Sequence, residues 1–294
     1  MNKAVFSKVA IIGFGLIGSS LARVIRRDHL ADKIICGDAS SEVCRKVIEL
    51  KLADAAFTDM AVAVKGAEIV ILAIPVGACG EVARKIAGSL AKDSVVTDVG
   101  SVKQTVIDAV APHIPPHAYF VPAHPIAGTE HSGPEAGFPE LFQGRWCILT
   151  PLPETPLRAI EKVTALWEAT GAMIEFMEPR RHDLILGITS HLPHLIAYSI
   201  VDTASQLEDH TKAEVIKYSA SGFRDFTRIA ASDPVMWRDI FLNNREAVLE
   251  ILQRFNEDLT ALQKAIRTGD GALLQEVFTR TRAIRRAIIQ AKQQ

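Results

Sequence analysis

The sequence lacks several features that would place it in a class at once. It has four cysteines in 294 residues, Cys36, Cys44, Cys79 and Cys147, with no CxxC pair and no disulfide-framework spacing. A reducing, cytoplasmic setting is therefore expected rather than a secreted one. The formal net charge is −1, which gives no electrostatic case for a nucleic-acid partner or an anionic membrane surface. No stretch reaches ~18 unbroken apolar residues, so no membrane span is expected. The opening MNKAVFSKVAIIGFGLIGSSLA imitates a signal peptide, yet glycines interrupt it at fixed spacing and the same pattern continues beyond it. No internal repeat and no low-complexity segment occurs. What remains is 48% hydrophobic and 23% charged residues, the balance of a soluble globular protein. The length favours two domains at roughly 100–200 residues each.

The first half alternates short β-rich runs with helical periodicities, the pattern of a mostly parallel, doubly wound sheet covered on both faces. Strands are expected at Lys8–Gly13, Lys33–Asp38, Glu68–Ala73, Ser94–Asp98 and Ala118–Ala123, with a shorter one near Ala55–Thr58. Helical spacing marks Ile17–Arg27 and Val82–Leu90. Trp146–Leu149 and Ala172–Phe176 are expected to extend the same sheet, with a helix over Leu157–Thr170 between them. After Pro179 only long helical periodicities remain. Val248, Leu252, Phe255, Leu259, Leu262 and Ile266 mark one face of a long helix. TGDG at 268–271 stops it, and a last helix from Ala272 is expected to pack back antiparallel. Arg280, Arg282, Arg285 and Arg286 read as a solvated face of that helix. The expected division is an α/β domain over 1–177 and an all-α domain over 178–294. Apolar helices of this length beside such a domain also suit a homodimer interface.

VAIIGFGLIGSSLARVI sets Gly13, Gly15 and Gly18 at G-x-G-x-x-G spacing, after an apolar strand and at the start of a helix. The first glycine permits the tight turn, the second lets backbone approach a pyrophosphate, and the third lets helix and strand pack closely. The helix start, with Leu16 and Ile17 between the glycines, offers unpaired N–H groups to phosphates. Asp38 ends the second strand twenty residues after Gly18, where a carboxylate accepts from ribose hydroxyls and repels a 2′-phosphate. These residues point to a Rossmann domain binding NAD in preference to NADP. Ile74 and Pro75, in AIPVG (73–77), are expected to border the cofactor. The plainer alternative is a structural turn with a surface aspartate.

Ligands of such sheets sit beyond the carboxyl ends of the strands, where AIPVG, DVGSVK (98–103) and PAHPIAGTE (122–130) fall. HPIAGTEHSGPEAGF, residues 124–138, holds too much glycine and proline for a helix or strand and reads as a binding loop. Ser101 and His124 leave neighbouring strand ends on the side expected for the nicotinamide. A histidine there suits removal of a hydroxyl proton as hydride departs. No metal is expected. His124 and His131 are seven apart on a loop, SHLPH sets His191 and His194 three apart on a helix face, and nothing completes a ligand set. His131 reads as a loop histidine bonded to backbone, and His191 and His194 read equally as half-buried helix residues.

Taken in order, the Gly-rich opening, DVGSVK, HPIAGTE, SHLPH and GFRDFTRIA (222–230) resemble the prephenate and arogenate dehydrogenases of tyrosine biosynthesis. The resemblance covers nearly the whole chain. It implies a Rossmann domain with a helical dimerisation domain, and NAD-dependent oxidative decarboxylation of a small cyclohexadienol substrate. Hydride leaves the ring carbon bearing the hydroxyl, the ring carboxylate leaves as carbon dioxide, and the ring becomes aromatic. By this resemblance His124 is hydrogen-bond acceptor and base for the 4-hydroxyl, with Ser101 its partner. Arg228 grips a substrate carboxylate, and His194 is a second substrate contact, assisted by His191. Thr129 resembles a specificity position where an acid would pair with the amino group of arogenate, so the neutral threonine leans toward prephenate, with acidic Glu130 beside it. Glu130 is also expected to pair with Arg228 when substrate is absent, gating the pocket. Trp237 is either a pocket wall or a core residue. The chain shows no fused chorismate mutase and no C-terminal regulatory domain, so tyrosine control through a separate domain is not expected.

Two other classes compete. A β-hydroxyacid or imine reductase shares this architecture, but uses a lysine or acid on the interdomain helix, and GITSHLPHLIAYSI has no lysine. A non-catalytic NAD sensor needs no convergent His124, Ser101, His194 and Arg228.

Overall fold

The computed structural model describes residues 5–206 and 221–290. The outer ends of the two expected domains, 1–4 and 291–294, lie outside the described residues. Six strands, β1 (Phe6–Ile12), β2 (Ala31–Gly37), β3 (Ala55–Phe57), β4 (Ile69–Leu72), β5 (Val95–Asp98) and β6 (Tyr119–Phe120), form one sheet in the order β3-β2-β1-β4-β5-β6. Every neighbouring pair is parallel. β4 (IVIL) and β5 (VVTD) are buried along their whole length, because a parallel sheet is covered on both faces.

β1 shows how the two cores are divided. Val9 and Ile11 face one core, shared with α1 (Leu16–Arg27) and α2 (Ser41–Glu49). Ala10 and Ile12 face the other, built from α3 (Met60–Ala63), α4 (Cys79–Ile86) and α5 (Gln104–Val110). This is the two-residue alternation of a strand. α6 (Leu157–Ala169) returns to the first core through Val163, Leu166 and Trp167. The strand order reverses between β1 and β4, which sets a crevice at the strands' carboxyl ends.

One expectation is corrected. Trp146–Leu149 and the run ending at Phe176 do not extend the first sheet. β7 (Ala123–Pro125), β8 (Trp146–Leu149) and β9 (Met173–Phe176) form a separate three-stranded sheet, β7 antiparallel and β9 parallel to β8. The cause is Pro122, which has no N–H to give the ladder. Val121 N–H still reaches the Val96 carbonyl at 2.9 Å, but the Pro122 carbonyl accepts from Thr150 N–H at 3.0 Å. The expected strand Ala118–Ala123 therefore changes partners midway and delivers His124 opposite Ile148.

Among the described residues no strand follows Phe176. α7 (Pro179–Leu186), a π-turn over Gly187–His191, and α8 (Leu192–Ser205) run as one helix of 27 residues. Glu178 caps it by accepting from Arg180 N–H and Arg181 N–H. Pro193 explains the π-turn: its ring would clash with the carbonyl four residues back, and widening the preceding turn relieves this. The helix is long and apolar enough to cross a bilayer, yet its His182, Asp183 and His191 are buried and Leu184, Ile188, Ile200 and Val201 are exposed. α9 (Ser221–Thr227), a 3-10 turn from Arg228 to Ala231, and α10 (Pro234–Asn243) complete this compact unit. A second unit from Glu246 holds nearly all of α11 (Arg245–Thr268) and α12 (Gly271–Gln290). In it Gly269 turns the chain at φ +68°, and Leu259, Ile266, Phe278 and Ile284 are exposed.

Candidate active site

At the turn after β1, Gly13 has φ +91°, and a Cβ there would lie 2.3 Å from the Ala73 carbonyl and 2.7 Å from Ile74 Cγ2. Only glycine fits beside β4 in that conformation. A Cβ on Gly18 would lie 2.1 Å from the Gly13 carbonyl, so glycine is what lets α1 lie against the turn. A Cβ on Gly15, the N-cap of α1, would meet nothing within 4 Å. Ser19 N–H is taken by the Gly15 carbonyl, which leaves the N–H groups of Leu16, Ile17 and Gly18 without intrahelical acceptors. Asp38 follows β2; its carboxylate accepts from Phe14 N–H at 3.1 Å and Ser40 N–H at 2.9 Å. Ile74 and Pro75 leave β4 beside Gly13. A glycine cradle, free helix-start amides and an acid at the end of β2 fit a dinucleotide.

Beyond β5 and β7 lies a buried polar centre. His124 is 8% exposed. Its Nδ1 is 2.8 Å from Nε2 of His182, whose Nδ1 is 2.8 Å from Oδ1 of Asp183. The Asp183 carboxylate also accepts from Lys103 N–H at 2.7 Å and Gln104 N–H at 2.9 Å, capping α5 from α7. The Lys103 ammonium is fully buried, pairs with Asp98 and donates to the Ala123 carbonyl at 2.7 Å. Burial, reinforced by His182, Lys103 and His191, holds His124 well below the usual histidine range. Burial also lowers His182, outweighing the hydrogen bond to Asp183. The centre is therefore built of neutral imidazoles.

His191, in the π-turn, is fully buried and its pKa is pushed down to about 4 by burial. Asn244 Nδ2 donates to the Asp183 carbonyl at 2.9 Å and lies 3.0 Å from Nδ1 of His191, which places the His191 proton on Nε2. His194 is half-buried; Nδ1 is 2.8 Å from the Ser190 carbonyl, and the ring stacks on Trp237 at 3.6 Å. Trp237 itself packs with Val102 and Ile240, so it is a core residue that floors His194. Ser101 is half-buried in the loop before α5, and no hydrogen bond joins its hydroxyl to His124 among the described residues. Thr129 and Glu130 are exposed, and Thr129 Oγ1 accepts from His131 N–H at 3.3 Å. Glu130 meets Arg228 at 3.2 Å. Its own backbone N–H and Arg228 hold the Glu130 carboxyl below the usual range.

The loop carrying these residues is tied to the nucleotide helices. Phe138 N–H donates to Ser20 Oγ at 3.1 Å, Arg23 to the Pro134 carbonyl at 3.3 Å, and Lys46 pairs with Glu135 at 2.6 Å. Among the described residues no group of three or more His, Cys, Asp or Glu is placed to hold a metal. Residue patterns pointed to His124, His191 and His194 but not to His182, Asp183 and Asn244. The available signal was polar residues inside an apolar helix, in RRHDLILGITSH.

Residues 21–176 match the sequence model described as prephenate dehydrogenase, nucleotide-binding domain, and residues 178–280 match prephenate dehydrogenase, dimerization domain. The chain is 43% identical over 284 residues to a cyclohexadienyl dehydrogenase of Zymomonas mobilis, covering 97% of each protein. It is 37% identical over 261 residues to a prephenate dehydrogenase of Bacillus subtilis, covering 88% of this chain and 69% of that one. The crystal structure of prephenate dehydrogenase from A. aeolicus, in complex with hydroxyphenyl propionate and NAD+, is similar with a TM-score of 0.88 at 36% identity, covering 96% of this chain and 98% of that chain.

Proposed function

The chain belongs to the prephenate dehydrogenase family, and on that footing we propose that His124 is its catalytic base. The protein is an NAD-dependent oxidoreductase that oxidatively decarboxylates prephenate and/or arogenate in tyrosine biosynthesis. The observation that carries the role of His124 is its pairing with His182: with Nδ1 engaged and the ring neutral, Nε2 is the nitrogen left to accept the 4-hydroxyl proton. The turn at Gly13, the start of α1 and Asp38 would hold NAD, which when bound would supply the hydride acceptor for the ring carbon. Arg228, now paired with Glu130, grips a substrate carboxylate once that pair opens. His194 and Ser101 orient the ring, with His191 behind them. Aromatisation supplies driving force, so positioning is the protein's main task.

Asp38 favours NAD over NADP, because a 2′-phosphate would meet its carboxylate. Thr129 gives the amino group of arogenate no counter-charge, which favours prephenate. The division between nucleotide-binding and helical parts lies at 177/178, and the cytoplasm is the working compartment. The exposed apolar residues of the Pro179–Ser205 helix and, separately, those of the second unit are surfaces for a homodimer.

The test is NADH formation by purified protein with prephenate and arogenate side by side, with His124→Asn as control. The expected result is faster turnover of prephenate and a loss of roughly 10²–10⁴-fold in kcat for the variant, with NAD binding intact. Full activity of the variant rejects His124 as the base. Preference for arogenate rejects the Thr129 argument.

A further inference from the structure

The three groups His124, His182 and Asp183 fix one another's protons. Asp183 accepts a backbone N–H bond on each carboxylate oxygen at the start of α5, so both oxygens act as acceptors. The Nδ1 atom of His182, 2.8 Å from that carboxylate, must then carry a proton. A neutral His182 has a bare Nε2, which accepts from Nδ1–H of His124 at 2.8 Å. His124 is thereby held with its proton on Nδ1 and its lone pair on Nε2. The chain ends inside the protein: His182 is fully buried and Asp183 is 5% exposed.

The proton balance of the reaction gives this closed chain a use. As hydride leaves the ring carbon, the 4-hydroxyl O–H bond breaks and an N–H bond forms at His124 Nε2. When the bond to the ring carboxylate breaks, its electron pair enters the ring, the oxygen becomes phenolic, and it takes the proton back. No proton is gained or lost overall. A base that must return what it took is better served by a buried store than by a path to solvent.

We propose that His182 and Asp183 are positioning residues that keep His124 in the Nε2-bare tautomer and share its positive charge while it holds the substrate proton. When Nε2 is protonated, the Nδ1 proton shifts toward His182 Nε2, leaving His124 neutral and an imidazolium paired with the Asp183 carboxylate. The other charged or titratable groups facing His124 are His191, Lys103, which is paired with Asp98, and the Cys147 thiol, which bonds to the His124 backbone and is pushed up by burial. Because Lys103 and Asp98 offset each other, Asp183 is the counter-charge for the stored proton. The inference rests on His124 being the base, and the experiment separates the two.

The experiment compares His182→Leu, His182→Gln and His124→Asn by kcat, KM for prephenate and NAD affinity, and reads the wild-type His124 tautomer in the long-range ¹H–¹⁵N spectrum of ¹⁵N-histidine-labelled protein. His182→Leu is expected to lose roughly 10²-fold in kcat with KM and NAD affinity nearly unchanged, the mark of an interaction made in the transition state. The Gln amide oxygen can accept from Nδ1–H, so His182→Gln is expected to recover about tenfold of that loss. Wild-type His124 is expected to be protonated on Nδ1. Near-normal kcat in His182→Leu beside an inactive His124→Asn overturns the relay and leaves the base standing. An active His124→Asn overturns the base itself. Should His182→Leu fail to bind NAD, the tautomer decides: a proton on Nε2 of wild-type His124 overturns the proposal.

Discussion

At the scale of single residues, the pair Lys103–Asp98 carries the largest stakes. Both side chains are fully buried, and removing two charges from water costs several kcal/mol per ion unless the geometry and further hydrogen bonds offset it. Asp98 supplies those bonds by accepting from Gly100 N–H at 2.8 Å and Ala123 N–H at 3.2 Å, tying the end of β5 to β7. Replacing Asp98 with Ala strands the ammonium. Urea denaturation is expected to show a loss of about 3–5 kcal/mol; a loss below about 1 kcal/mol would mean that the pair is dispensable. The exposed Glu130–Arg228 pair behaves oppositely. Glu130→Gln should leave stability nearly unchanged, since solvent screens an exposed pair. It frees Arg228, however, and KM for prephenate should fall by up to about fivefold; an unchanged KM argues against gating. DVGSVK marks Ser101 as a polar residue beyond a strand end, but nothing in it tells that Asp98 and Lys103 on either side are buried. Lysine and aspartate are almost always solvated, so their burial is a tertiary fact. His124 was legible because it opens a Gly/Pro-rich run, although it sits in β7 and the loop begins after it.

At the scale of elements, the apolar runs identify strands but not their partners. That is why β1, β2, β4 and β5 are legible and the second sheet is not: Pro122 alters pairing without altering the alternation around it. The π-turn is legible only in part, through Pro193 in SHLPH. The loop between β7 and β8 adds a link that composition cannot show, because its middle is fastened to α1. Gly137 sits at the fastening; a Cβ there would lie 2.3 Å from Ser19 Oγ and 2.8 Å from Ser20 N. Gly137→Ala must lift the loop from the helix whose start forms the phosphate site, at a cost of about 1–3 kcal/mol for overpacking. A lower Tm together with weaker NAD binding is expected. A lower Tm with unchanged NAD affinity would detach this loop from the cofactor site.

At the scale of the whole molecule, burying neutral histidines makes folding depend on pH in a definite direction. An unfolded histidine titrates near 6.5, whereas His191 titrates at about 4, and His124 and His182 are also lowered. Below pH ~6.5 the unfolded chain binds protons that the folded chain refuses, so the slope of stability against pH is positive there. The contribution is complete above that pH, declines as pH falls toward the folded value, and is lost below it. His191 alone should make unfolding about 2 kcal/mol easier at pH 5 than at pH 8, with His124 and His182 steepening the decline. The exposed apolar faces tie stability to protomer concentration if they meet in a dimer, so the comparison requires one fixed concentration. Urea denaturation at several pH values should show this fall, and His191→Gln should flatten it by removing one of the refused protons. Equal stability at pH 8 and pH 5 would mean that the histidines reach solvent or gain a counter-charge on protonation, and the picture of a dry, neutral centre would have to be abandoned.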